Sequence, residues 1–197
     1  TFKTLFIPGC LSDGRRKNLN AAASESLFIR QLNHDFVSEQ MKIYTLKRTQ
    51  TLPIPPERAW EFFSSPENLS RITPAKMNFK ITSMSGSERM YPGQIISYKV
   101  TVLPFMRLRW VTEITHVAAP NYFVDEQRSG PYAFWHHKHH FEPVPEGTAM
   151  TDEVSYALPF GLLGQIAHAA FVRAEVNAIF DHRYTILEKY FRQEIAQ

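Results

Sequence analysis

The sequence predicts an α+β fold: a curved antiparallel sheet of about six to seven strands wrapped on one long C-terminal helix, with two short helices after the first strand. Three observations carry this. Apolar residues recur at helical spacing from Leu162 to Phe191, a run without proline. Between Tyr44 and Leu158, segments rich in β-branched and aromatic residues follow one another at hairpin spacing. The connections between them are short and built from turn residues, which makes successive strands antiparallel neighbours.

In chain order, Tyr44 to Leu52 alternates and is rich in Thr, a first strand that Pro53-Ile54-Pro55-Pro56 stops. Glu57 to Ser64 is a short helix with Pro56 near its first turn and Ala59, Trp60 and Phe63 facing inward, and Glu67 to Ile72 is a second helical turn. Strands follow at about 79–84, 94–103, 107–117, 122–128, 132–143 and 148–158. They are separated by turns such as Tyr91-Pro92-Gly93, Ala119-Pro120-Asn121, Ser129-Gly130-Pro131 and Pro145-Glu146-Gly147. The long helix then runs from Leu158 to Phe191 with Pro159 near its start. Leu162, Ile166, Ala169, Val176, Phe180, Leu187 and Phe191 lie along one side, with Phe171, Ala174, Ala178 and Ile186 beside them. Ala167, Ala169, Ala170, Ala174 and Ala178 stand where a filled core would favour Leu or Ile. They either pack closely on the sheet or border a cavity that a ligand fills.

Residues 1–40 read as an N-terminal extension with a helix at about 20–38, where Phe28, Ile29, Leu32 and Phe36 share a face and Asn20 is placed to cap. Met41 opens a segment, 41–193, that makes sense as a domain by itself. The extension is an appendage on the domain, a partner-binding element, or sequence upstream of a natural start at Met41.

Composition removes several classes of function. The 22 basic and 19 acidic residues are scattered, and their net charge of +3 is too balanced to imply nucleic acid. No run of 18 apolar residues occurs, so no integral membrane association is expected. The single Cys10 allows no internal disulfide framework, suits a reducing compartment and makes the cytoplasm the default. Ile7-Pro8-Gly9-Cys10 resembles the end of a lipoprotein signal, but the six residues before it are too few for one. No Gly-x-Ser-x-Gly elbow, phosphate-binding glycine loop or dinucleotide fingerprint is present.

The unusual stretch is Trp135-His136-His137-Lys138-His139-His140-Phe141. On a strand, Trp135, His137, His139 and Phe141 share one face, and the aromatics at both ends of that set turn it toward the core. His137 and His139, two residues apart, have chelate spacing, but no third ligand is placed by any spacing rule, so no metal and no other cofactor is assigned. They read better as the polar lining of a ligand pocket. With Glu146-Gly147 as the central turn residues, His139 would stand opposite Val154, His137 opposite Tyr156 and Trp135 opposite Leu158. On the preceding hairpin, a three-residue loop sets Asp125 opposite Trp135, and the inner polar candidates are Asp125 and Gln127, or alternatively Glu126 and Arg128. Ligand-binding candidates are therefore Trp135, His137, His139, Asp125, Gln127, Tyr156, Ala170 and Ala174. Weak candidates for acid–base catalysis are His137 or His139 with Asp125 or Glu113, since one imidazole and one carboxylate in a dry cavity can shuttle a proton.

From about residue 41 to 193 the chain resembles the SRPBCC superfamily of START-like helix-grip domains, which includes polyketide cyclases, plant allergens and lipid-transfer modules. The resemblance rests on Pro55-Pro56-Glu57-Arg58-Ala59-Trp60-Glu61-Phe62-Phe63, Pro66-Glu67-Asn68-Leu69, Phe123-Val124-Asp125-Glu126-Gln127, Gly130-Pro131-Tyr132, Trp135-His136-His137, His139, Phe141-Glu142 and Thr151-Asp152-Glu153-Val154-Ser155-Tyr156. Within that superfamily it is most similar to a bacterial branch sometimes labelled cell-division inhibitor. The resemblance implies a hydrophobic cavity between sheet and C-terminal helix, bordered by the Ala-rich helix face and the Trp135 face. It implies a hydrophobic or aromatic small molecule as partner. Residues 1–40 have no counterpart in the resemblance; they would cover the cavity mouth or pack on a second subunit, in a homodimer. Binding without chemistry leads. A cyclase, dehydratase or hydrolase using a His and carboxylate pair, and a cell-division or envelope interaction protein, are the alternatives.

Overall fold

The computed structural model describes residues 41–86, 88–103 and 106–195. The expected helix at 20–38, the extension 1–40 and Cys10 lie outside these described residues.

Seven strands form a single antiparallel sheet in the order β1-β7-β6-β5-β4-β3-β2: β1 Tyr44–Leu52, β2 Lys80–Met84, β3 Gln94–Leu103, β4 Met106–Ala118, β5 Tyr122–Ser129, β6 Phe134–Val144 and β7 Gly147–Ala157. Strands β2 to β7 pair with their sequence neighbours, as short connections require, and β1 closes on β7 from Tyr44 opposite Tyr156 to Leu52 opposite Thr148. Register shifts in β2–β3, β3–β4 and β4–β5 each place an extra residue in one strand. Such bulges bend a sheet and strengthen its twist, which gives this one a concave face.

Helix α1, Pro56–Phe63, follows β1 and buries Ala59, Phe62 and Phe63. Two 3₁₀ turns, Pro66–Arg71 and Ala75–Met77, carry the chain to β2. The second of these turns was not legible in the sequence. Across the concave face run α2, Gly161–Ala167, a π-helical turn at His168–Val172, and α3, Arg173–Ile195. Phe62, Phe63, Phe141, Leu187 and Phe191 form the core at one end of the sheet, and Val154, Tyr156, Val176 and Phe180 form a second cluster.

Three expectations are corrected. The helix starts at Gly161 rather than Leu158, after Phe160 and Gly161 adopt left-handed backbone with φ of 69° and 51°. Its apolar stripe breaks at residues 168–172. Val176, Phe180, Leu187 and Phe191 are buried, but Leu162 and Ile166 are 63% and 57% exposed. A π turn holds one residue more than an α turn, which rotates everything N-terminal to it by roughly 100°. Gly164 and His168 are brought inward instead, and Ala169, Ala170, Ala174 and Ala178 are exposed. Finally, β6 and β7 join through Pro145-Glu146, with Val144 opposite Gly147. The register therefore differs by two residues from the expected one, which preserves the face of every side chain.

Candidate functional site

Strand β6 places Trp135, His137, His139 and Phe141 on the concave face, and His137 and His139 are 4% and 3% exposed. Asp125 of β5 lies opposite His137, and Asp152 of β7 lies opposite His139. From α3, Arg183 reaches into the same place. The five side chains make one buried polar cluster. Each imidazole faces both carboxylates: His137 Nε2 is 2.9 Å from Asp152 Oδ1 and its Nδ1 is 3.3 Å from Asp125 Oδ2. His139 Nε2 is 3.0 Å from the same Asp125 oxygen, and its Nδ1 is 2.9 Å from the same Asp152 oxygen. That last approach lies off the line of a hydrogen bond, so His139 Nδ1 has no hydrogen-bond partner among the described residues. The two rings lie 3.8 Å apart, and Arg183 donates to Asp152 Oδ1 at 3.2 Å.

Electrostatics follow from this packing. Burial opposes charge on His137, but Asp125 and Asp152 outweigh it and hold the imidazole above its ordinary range. Burial and the charge on His137 push His139 down, so it is the neutral one of the pair. Burial would raise Asp125, yet His137 and His139 hold it well below the usual carboxylate range. Burial likewise opposes charge on Asp152, and Arg183 and the histidines overcome it. Two anions against the cations His137 and Arg183 leave the cluster neutral as a whole, the condition under which buried charges persist.

Above this floor lies a cavity of about 180 Å³ between the concave sheet and α3. Asp125, His137, His139 and Arg183 line it, whereas Asp152 sits behind the histidines, outside the lining. The walls are apolar and aromatic: Phe79, Tyr98, Trp110, Phe123, Tyr132 and Trp135 from the sheet side, Val176, Ile179 and Phe180 from α3, and Leu69, Ile72 and Met77 from the 3₁₀ segment. Trp110 meets Trp135 edge-on at 5.3 Å. Trp110 is 7% exposed, and its Nε1 donor is buried without a hydrogen-bond partner among the described residues. Met77, Tyr132, Val176 and Ile179 also border a larger cleft of about 840 Å³, whose other wall includes Phe160, Leu163, Ala167 and Phe171.

Of the sequence-derived candidates, Trp135, His137, His139 and Asp125 come together on the cavity. Gln127 does not: its amide donates to the Tyr132 carbonyl at 2.6 Å and accepts from the Tyr132 N–H at 3.2 Å, closing the β5–β6 turn. Tyr156 is buried, but its hydroxyl shares a hydrogen bond with His168 Nε2 at 2.9 Å, away from the cavity. Ala170, within the π turn, and Ala174, two residues from Val176 and so on the opposite face of α3, are exposed and line neither the cavity nor the cleft. Glu113 lies on the opposite sheet face, where Arg128 donates to it at 2.6 Å, so it pairs with neither histidine. The outer-face alternatives Glu126 and Arg128 also pair with each other, at 3.2 Å. Sequence reasoning missed Trp110, Asp152 and Arg183. Arg183 had a signal, since it falls on the Val176, Phe180, Leu187 stripe, where a charge requires a buried counter-ion.

The fold and site define an α+β helix-grip domain, a sheet curled around a C-terminal helix with an apolar cavity between them. The chain belongs to the polyketide cyclase / dehydrase and lipid transport family, whose model matches residues 52–179. Among solved structures it is similar to protein NE0264 of Nitrosomonas europaea, 14% identical over 78% of this chain and 97% of that one, with a TM-score of 0.56. TTHA0849 of Thermus thermophilus is 17% identical over 78% and 99%, with a TM-score of 0.56. Ara h 8.0201 is 15% identical over 77% and 99%, with a TM-score of 0.54. At these identities the likeness is one of fold. No curated protein matches the chain. Among the described residues, no helix is long and apolar enough to cross a membrane.

Proposed function

We propose that the protein binds an amphipathic small molecule, its apolar body against the aromatic wall and its polar end on the Asp125–His137–His139–Arg183 floor. The observation that carries this reading is the pairing of an apolar cavity with a compact charged cluster at one place on its surface, the usual composition of a selective small-molecule site. The unpartnered Trp110 N–H supports it, because a buried donor left alone is costly and an acceptor on the ligand satisfies it. The family description, which spans cyclases, dehydrases and lipid transport, fits a hydrophobic ligand without choosing one. Residues 41–193 act as the binding domain, in the cytoplasm, with 1–40 as an appendage.

The test is native mass spectrometry of the purified protein against hydrophobic carboxylic acids, fatty acids and polycyclic phenols, with Trp110 and Trp135 fluorescence as a second readout. Equimolar uptake that quenches tryptophan, and that Val176→Trp abolishes by filling the cavity, is expected. A folded protein that takes up none of these compounds overturns the reading.

A second reading, acid–base catalysis on the bound molecule, is favoured by one observation: a neutral His139 beside a protonated His137 on the same cavity floor supplies a base and an acid together. Turnover in a substrate screen that His139→Ala removes, with folding intact, distinguishes it from binding alone.

A further inference from the structure

We propose that Asp125, His137 and His139 form a binding site for a first-row divalent transition metal, with an open coordination position directed into the cavity. The oxygen and nitrogen donors of the three residues all lie within 4.8 Å of one another. Two edges of the triangle are short: Asp125 Oδ2 to His137 Nδ1 is 3.3 Å, and Asp125 Oδ2 to His139 Nε2 is 3.0 Å. An ion with bonds of about 2.0–2.1 Å holds tetrahedral ligands roughly 3.3–3.4 Å apart, and adjacent octahedral ones roughly 2.9–3.0 Å apart. The protein already sets these two edges. The spacing of two residues along β6 gives the two imidazoles, and pairing with β5 supplies the carboxylate that sequence spacing could not place.

The surroundings are those of a metal site. A ligating imidazole ordinarily gives its other ring nitrogen to a carboxylate, which fixes the ring and raises its basicity. Here His137 Nε2 does so, hydrogen-bonded to Asp152 Oδ1 at 2.9 Å, whereas His139 Nδ1 is equally near that oxygen but off the hydrogen-bond line. Arg183 anchors that same oxygen from α3 at 3.2 Å. Asp125, His137 and His139 line the cavity and Asp152 does not, so the division into ligands in front and support behind matches access to the cavity. Two imidazoles with one carboxylate suit Zn²⁺, Fe²⁺ or Co²⁺ rather than Mg²⁺ or Ca²⁺, which take oxygen.

Charge then names the ligand class. Asp125 and Asp152 against Arg183 leave one negative charge when both histidines are neutral, and a dication turns this into one positive charge facing the cavity. An anionic oxygen donor, such as a carboxylate or an enolate, on a hydrophobic body completes both the coordination and the charge. This last step rests on the ligand-binding reading above, whereas metal binding does not.

The experiment titrates chelator-stripped full chain with Co²⁺ and follows ligand-field absorption, with Zn²⁺ displacement and metal content by equilibrium dialysis. One ion per chain, at micromolar affinity or tighter, is expected. His139→Ala and Asp125→Asn should each weaken it by about 100-fold or more, while His136→Ala and His140→Ala, on the outer face, leave it unchanged. X-ray absorption on the wild-type Zn²⁺ protein should show two imidazoles in the coordination shell, a readout that does not depend on the variants folding. Absence of equimolar binding to folded wild type, binding that follows His136 or His140, or fewer than two imidazoles at the ion overturns the proposal. Uptake of hydrophobic acids by the metal-stripped protein is measured beside it. Uptake without metal binding sinks only the metal site, and metal binding without uptake sinks only the ligand reading.

Discussion

Asp152 on β7 and Arg183 on α3 meet at 3.2 Å across the sheet-to-helix interface, with only 9% and 11% of their side chains exposed. The guanidinium also lies over the Phe180 ring at 5.4 Å, so the arginine is held by packing as well as charge. Replacing Arg183 by Met keeps the stem but strands Asp152 with an uncompensated charge. Breaking a buried pair from one side costs about 3–5 kcal/mol. Urea unfolding of Arg183→Met should show a loss of that order, and a change under about 1 kcal/mol would mean that solvent or the histidines carry the compensation instead.

Gly147 opens β7 with φ of 133°, where a Cβ would strike the Leu52 carbonyl and come within 2.8 Å of the Ile54 nitrogen. The neighbouring Thr148 hydroxyl donates to the Ile54 carbonyl at 2.7 Å, so β1 and its exit are held tightly against this corner. Gly147→Ala therefore combines a disfavoured backbone with a clash against main chain, and should cost about 1–3 kcal/mol in thermal or urea unfolding. An unchanged midpoint would show that the β6–β7 corner relaxes freely.

How far the sequence reveals this protein depends on which physical signal each residue carries. The inward face of β6 was legible because Trp135 and Phe141 bracket the histidines at period two, and alternation survives a register error of two residues. The register itself was not legible. Gly147 reads as a turn residue, but its backbone is needed for the approach of Leu52, so the turn falls one residue earlier, on Pro145-Glu146. The π turn leaves no mark either, since His168-Ala169-Ala170-Phe171-Val172 continues a helical pattern without proline or glycine. That single hidden residue turned Leu162 and Ile166 away from the expected stripe, whereas Ala174, beyond the π turn, is outside because it sits two residues from Val176 on the opposite helix face. The convergence of Asp125 on His137 and His139 depends on strand pairing and bulges, which no local spacing encodes.

The outward placement of Ala170 and Ala174 bears on ligand uptake. Ala170→Leu and Ala174→Leu add bulk on the exposed side of the helix, so each should change stability by no more than about 0.5 kcal/mol and leave uptake intact. Val176, 2% exposed and bordering both the cavity and the cleft, faces the other way. Val176→Trp should abolish uptake at a cost of about 1–3 kcal/mol for overpacking. Calorimetry with a hydrophobic acid separates the two faces, and loss of uptake in Ala174→Leu would return the alanines to the cavity.

The π turn also carries a buried titratable group. His168 is 7% exposed, stacks on Tyr44 of β1 at 3.4 Å between ring centres, and shares a hydrogen bond with the Tyr156 hydroxyl of β7 at 2.9 Å. Burial, then Arg173 and Lys42, hold it below its ordinary pKa, so the folded protein keeps it neutral. An unfolded histidine titrates near about 6.5. As pH falls from there toward the depressed folded value, the unfolded chain binds more protons than the folded one, and stability drops. Above that window the group contributes no pH dependence. His139, also depressed, acts in the same direction, and His137, raised, acts in the opposite one, so the wild-type curve alone mixes them. The difference between wild type and His168→Gln isolates the site, because glutamine offers an acceptor to Tyr156 and does not titrate. Urea midpoints between pH 7.5 and 5 should show wild type losing ground to the variant as the pH falls. A constant difference across that range would mean that the π turn opens to let His168 reach water.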